Sequence, residues 1–202
     1  MTQKNKDKEP KEQFSQVPGS LGKTDAPVPE DVKPDISEHI TYKEATHSDT
    51  ADELGIDNNP PEDILAVMRV TAEKVFEPLR RFWKCPIGIS SFYRSPEFNA
   101  ALEKDKTIKA SKNSQHLTGE AIDIDANIYG NISNRNVFEY IRDHSIFDQL
   151  IWEYGDDNNP EWVHVSYITG PNRMQVLRHF KVGIKTYYEE LNGEKSSFKQ
   201  LN

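Results

Sequence analysis

SQHLTGEAIDID, residues 114–125, decides the fold. Its first half is polar and ends at Gly119, a residue suited to a tight or positive-φ turn. Its second half alternates. Ala121, Asp123 and Asp125 fall on one face of a strand, Ile122 and Ile124 on the other. Such a strand buries isoleucines on one side and offers carboxylates on the other, as in a sheet covered by helices on one face.

EWVHVSY, residues 161–167, has the same pattern. Trp162, His164 and Ser166 share one face, with Val163, Val165 and Tyr167 opposite. Laid side by side, the two strands bring Asp123 and His164 over one point. His116, in the loop ahead of Gly119, supplies a third donor. Two imidazoles and a carboxylate are a ligand set for one zinc ion, and three protein ligands leave a fourth position for water, as catalytic zinc requires. Asp125 is the competing carboxylate. It lies further along the same face and reads as an outer or turn acceptor. His39, His47, His144 and His179 read as hydrogen-bonding groups.

A zinc ion brings the pKa of bound water near 7 and polarises a carbonyl. A carboxylate must then carry a proton from water to the leaving amine. Glu161, three residues before His164, is the first candidate. Alternation puts it opposite His164, so this role requires irregular backbone at Trp162. Glu153, ending a strand over 147–154, is the second candidate, its plain reading being an acid bonded to the neighbouring turn. Arg94 follows a strand over 87–94. Its guanidinium suits an oxyanion or a substrate carboxylate, against the plain reading of a surface ion pair.

Outward from these stretches, Pro60 and Pro61 open a helix. Its stripe is Ile64, Met68, Thr71, Val75, Leu79 and Phe82. Pro78 predicts a kink. Ser95-Pro96-Glu97 caps a short helix to about Glu103, and Ser133 caps another over 134–144. Residues 40–44 read as a short extended segment and 104–113 as a loop. Trp162 to Tyr167 and Met174 to Phe180 read as paired strands joined by Thr169-Gly170-Pro171-Asn172. Helices mixed with hairpin-connected strands predict an α+β domain, a small antiparallel sheet with helices packed against it. Its expected bounds are 36–185, between a polar tail at 1–35, too poor in apolar residues to fold, and a polar tail at 186–202.

The chain has 202 residues, 35% of them hydrophobic, and a net charge of −8, which argues against a nucleic-acid binder. Mean hydropathy is −0.78, and no apolar run reaches the length of a membrane span. The single Cys85 excludes an internal disulfide and a cysteine zinc site. No signal peptide is visible at the start, so the expectation is synthesis in the cytoplasm and, for a substrate outside, delivery by other means.

Together these motifs resemble the M15 zinc peptidases, which include D-Ala-D-Ala carboxypeptidases and dipeptidases and phage L-Ala-D-Glu endolysins. The family pattern S-x-H-x-x-G-x-A-x-D matches Ser114 through Asp123, and acid-x-x-H matches Glu161 to His164. Tyr93-Arg94-Ser95-Pro96 matches the arginine segment. The resemblance runs more weakly from Thr41 to about Arg178. Two departures are Phe92, where many relatives have glycine, and the longer Lys-rich loop at 103–113. The resemblance implies the hedgehog and DD-peptidase type of zinc domain, with one Zn²⁺ on His116, Asp123 and His164. It further implies Glu161 as general base, Arg94 assisting the carbonyl, and Ser114, Gln115 and Tyr93 shaping the substrate pocket. The expected activity is hydrolysis of peptidoglycan stem peptides by a monomer, with no nucleic-acid or membrane partner. It would act on the bacterial wall after phage lysis or from a virion. The alternatives are a cytoplasmic dipeptidase and a non-catalytic, zinc-stabilised wall-binding module.

Overall fold

The computed structural model describes residues 35–104, 110–183, 185–191 and, in backbone, 197–200. Residues 1–34 of the expected tail and 105–109 of the Lys-rich loop fall outside that set. Helix α1 (Tyr42–Thr46) occupies the stretch read as extended. Thr41 caps it, accepting from the Glu44 amide at 3.1 Å, so the Thr-x-x-Glu start pattern outweighs the β-forming residues beside it. Helix α2 (Asp49–Leu54) follows behind Ser48.

Pro61 opens α3 (Glu62–Thr71) as expected. Residues Ala72–Phe76 form a π turn leading into α4 (Glu77–Trp83). The predicted break at Pro78 takes this form. Proline has no N–H to return to the preceding turn, and the ladder slips so that the Glu77 amide bonds Ala72. Met68, Thr71, Val75 and Leu79 are fully buried, whereas Phe82 is 58% exposed.

The sheet contains β1 (Gly88–Ser91), β2 (Ala121–Asp125), β3 (Gln149–Glu153), β4 (Trp162–Ser166), β5 (Gln175–Val182), β6 (Lys185–Glu190) and β7 (Ser197–Gln200). Their order is β1-β2-β4-β3-β5-β6-β7. Between β1 and β2 lies α5 (Pro96–Lys104), and between β2 and β3 lies α6 (Asn134–His144). The Ser133 cap is a full capping box with Asn136. The domain is α+β, and its sheet departs from the sequence reading in two ways.

First, β4 and β5 do not pair. Strand β3 lies between them and runs parallel to β5, so the sheet is mixed. Both edges of β4 are already taken, by β2 and β3. The buried Asp148 carboxylate binds the Arg173 backbone amide at 3.0 Å and its guanidinium Nε at 2.9 Å, docking the start of β5 beside β3. Second, part of the stretch read as a C-terminal tail forms β6 and β7. Lys185-Thr186-Tyr187-Tyr188 is polar in bulk, but its alternation buries Thr186 and lays Tyr188 against the sheet.

Ile122, Ile124, Leu150, Trp152, Val163 and Val165 point to the face covered by α3, α4 and α6, where they join Phe76, Leu79, Val137 and Ile141 in one core. Each fully buried side chain of this kind is worth about 1.5–3 kcal/mol. The opposite face carries Asp123, Glu153, His164 and His179.

Candidate metal centre

His116 sits on a 3₁₀ turn, Gln115–Thr118. The Ser114 hydroxyl accepts from the His116 amide at 3.4 Å, and Gly119 closes the turn at φ 71°. The ring is 2% exposed. Its Nδ1 lies 2.7 Å from the Phe92 carbonyl oxygen. A carbonyl only accepts, so Nδ1 carries the proton and Nε2 presents a lone pair.

Strand register sets the other two donors. Asp123 and His164 are direct partners across β2 and β4. Asp123 Oδ1 is 2.8 Å from His164 Nδ1 and 3.2 Å from His116 Nε2. Its other oxygen accepts from Arg94 Nη2 at 2.6 Å. Burial first, then the Arg94 charge, holds the His116 pKa down to about 4. Burial alone would raise the Asp123 carboxyl, but the two imidazoles and Arg94 outweigh it and hold it well below the usual range.

These residues fit a cation. The ligand atoms of His116, Asp123 and His164 all lie within 4.8 Å of one another. His116 Nε2 is buried without a hydrogen-bond partner and faces a carboxylate oxygen. Two lone pairs in that position repel, and protonating the ring to relieve them is disfavoured by its low pKa. A metal ion between them resolves the conflict. Zinc bonds of about 2.0–2.2 Å in a tetrahedron put ligand atoms about 3.3 Å apart, close to the spacing seen.

Glu38, His39 and Glu77 form a second cluster. Both Glu77 oxygens are filled by the amide and ring of His39, at 3.0 and 2.7 Å, and Glu38 is exposed. This group reads as an ion pair that fastens the start of the domain.

The remaining sequence candidates scatter. Arg94 reaches the centre, with Nη2 on Asp123 and Nε donating to Ser91 Oγ at 3.1 Å. Tyr93 is buried in the core, and its carbonyl accepts from Asn58. Ser114 serves the turn. The Gln115 amide donates to Asp148 Oδ2 at 3.1 Å. Asp125 is the turn acceptor expected of it, bonding the Asn127 amide and the Asn134 side chain. Asn134 is fully buried and donates to the Glu161 carbonyl at 2.7 Å, tying β2 to the start of β4.

The two candidate bases differ sharply. Strand β4 is regular from Trp162 onward, in register with Glu153, Trp152 and Ile151 of β3. Trp162 itself pairs regularly with Glu153, and the bend ahead of the strand falls at Glu161. Glu161 is exposed and lines a cleft of about 320 Å³ with Tyr154, Gly155, Arg178, Phe180 and Lys181. No hydrogen bond or ion pair among the described residues joins its carboxylate to the three donors. Glu153 lies on the face of His164, diagonal to it through the Ile151–His164 pair, and is 7% exposed. Its Oε2 lies 2.5 Å from His179 Nδ1.

Sequence reasoning missed His179 and Tyr188 as members of this face. Tyr188 stacks on His179 with ring centroids 4.3 Å apart. Burial, then the charges of Glu153, Tyr154 and Asp123, raises its hydroxyl pKa, so Tyr188 stands near both carboxylates. The alternation in 185–190 was the available signal.

Residues 38–166, well over half of the chain, match the family model described as Peptidase M15. No curated protein shows a significant match to the chain.

Proposed function

The chain belongs to the peptidase M15 family, and on that premise we propose that it is a zinc-dependent peptidase acting on peptidoglycan stem peptides, at a bond involving D-amino acids. The observation that carries the reading is the convergence of His116, Asp123 and His164, with one imidazole nitrogen buried and otherwise unpartnered. Two imidazoles and a carboxylate suit zinc, which when bound supplies an acidified water and a polarised carbonyl.

The chain's own residues do the rest. Glu153 accepts a proton from the attacking water and returns it to the departing amine. It is preferred to Glu161 because it shares the face of His164 and is shielded from bulk water. Arg94 keeps Asp123 charged and fixed, and its Nη1 remains to meet a substrate oxygen. The Phe92 carbonyl holds His116 in the tautomer that offers Nε2.

Digestion of purified peptidoglycan, with and without a chelator, tests the proposal. New amino termini that appear only with metal are the expected result, and mass spectrometry of the muropeptides names the bond and separates carboxypeptidase from endopeptidase action. Wall binding without any new terminus would favour a non-catalytic module instead.

A further inference from the structure

The β5–β6 hairpin lies beyond residues 38–166, the stretch shared with the family model, yet it builds one side of the candidate site. His179 on β5 is the direct neighbour of Glu153 on β3, and Tyr188 on β6 is the direct neighbour of His179. The three side chains therefore form a row across the sheet, one step along the strands from the row containing His164 and Ile151.

Within this row the His179 ring makes a single polar contact. Its Nδ1 lies 2.5 Å from Glu153 Oε2. Its Nε2 is buried and has no hydrogen-bond partner. The rest of the ring meets aromatic surface, with Tyr188 stacked at 4.3 Å and Tyr154 at 4.5 Å between centroids. Tyr154 reaches it by leaving β3 in a left-handed conformation, φ 51°. A histidine that merely ties elements together uses both nitrogens, because an unpaired buried polar atom is costly. Here one nitrogen goes without, and everything else fixes the ring in front of one carboxylate oxygen. Glu153 Oε1 accepts no hydrogen bond among the described residues, and about a tenth of the side chain stays exposed.

We infer that His179 is a positioning residue for Glu153: its Nδ1–H holds Oε2, so that Oε1 is the oxygen that takes and returns the proton. Tyr188 and Tyr154 set the plane of the imidazole. This rests on the reading of Glu153 as the base. The titratable groups around Glu153 are Tyr154 on its own strand, His164 and Glu161 from β4 and the turn before it, His179 and Lys181 on β5, and Tyr188 on β6. Among them only His179 bonds its carboxylate.

The test uses the full zinc-loaded chain with His179→Leu and His179→Asn. The Asn amide nitrogen overlays imidazole Nδ1 and keeps the donor. For Leu the expected result is a fall in kcat of about 10–100-fold, the scale of lost outer hydrogen bonds in metal sites, with KM within about two-fold. Asn should recover most of the lost kcat. A second readout needs no activity: ¹⁵N-histidine NMR of the metal-free protein should show His179 protonated at Nδ1, with that signal shifted in Glu153→Gln. Wild-type kcat in His179→Leu would overturn the inference while the peptidase reading stands. If the wild type shows no metal-dependent turnover, the peptidase reading falls. The NMR then decides for His179, with Nε2 protonation overturning its role.

Discussion

The His116 ring donates through Nδ1 to the Phe92 carbonyl, 2.7 Å away, and that bond decides which nitrogen faces Asp123. The residue before Tyr93-Arg94 thus acts through its backbone, which explains how the site accepts phenylalanine there. With Nε2 committed to the centre, the chain should bind one zinc ion. His116→Ala should lower metal content to background in dialysed protein measured by mass spectrometry. Full zinc occupancy in that variant would remove His116 from the ligand set.

Arg94 is bound to the outer oxygen of Asp123 at 2.6 Å, and its side chain is 18% exposed. Its first effect should therefore be on the metal and its second on substrate. Arg94→Ala is expected to weaken zinc affinity about 10–100-fold, as losses of such outer partners do, and to lower turnover further at saturating zinc. Competition with a chromogenic chelator measures the first effect. Unchanged affinity with lost turnover would return Arg94 to a substrate-only role.

The two glutamates give opposite expectations. Glu153→Gln should keep zinc and lose at least about two orders of magnitude in kcat, the scale of a general base. Glu161→Gln, altering an exposed carboxylate on the cleft, should stay within about five-fold. Steady-state kinetics on isolated muropeptides, with zinc content checked in each variant, distinguishes them. The reverse pattern would restore Glu161 as the base and imply a rearranged start to β4.

Local alternation carried most of the site. Ile122/Ile124 against Asp123, and Val163/Val165 against His164, each fix a strand and the direction of its ligand from a few residues, and the observed register pairs the two ligands directly. Gly119 and Ser133 were legible for the same reason, since a turn or cap is a contract among near neighbours. Strand order was not. The insertion of β3 between β4 and β5 depends on Asp148 meeting Arg173, 25 residues away, and no periodic pattern records that. His179 escaped because one imidazole has no local signature. Its role comes from Glu153 on a neighbouring strand.

Acid should destabilise the metal-free protein in a defined window. Buried His116 binds a proton only near pH 4, against about 6.5 for an unfolded histidine. Between those values the unfolded chain holds more protons, so stability rises with pH across the window and is lost on acidification. At about 1.4 kcal/mol per pH unit the window is worth on the order of 3 kcal/mol. Asp123, held well below 3.8, extends the loss to lower pH. Urea unfolding of chelated protein between pH 7 and 4 reads this directly. A flat profile would contradict the burial of a neutral His116, and His116→Leu should flatten most of it.

Gly119 joins the helical layer to the metal centre. Its φ of 71° lies in the left-handed region, and a Cβ there would stand 2.6 Å from Met68 Cγ and 3.1 Å from the Ile64 carbonyl on α3. The Met68 side chain is fully buried, so it has nowhere to retreat. The left-handed backbone costs about 1–2 kcal/mol for a residue with a Cβ, and overpacking costs about 1–3 kcal/mol. Gly119→Ala should therefore lose about 2–5 kcal/mol in urea unfolding. The Gly119 amide also bonds back to the Gln115 and His116 carbonyls, so any shift that relieves the clash moves the turn carrying His116. Zinc affinity should fall along with stability, and in the double variant Gly119→Ala, Met68→Ala the zinc affinity should partly recover as the clash is removed, although the truncated core side chain costs stability of its own. Were Gly119→Ala as stable and as tight for zinc as the wild type, the packing of α3 against the 115–118 turn would not be what seats His116.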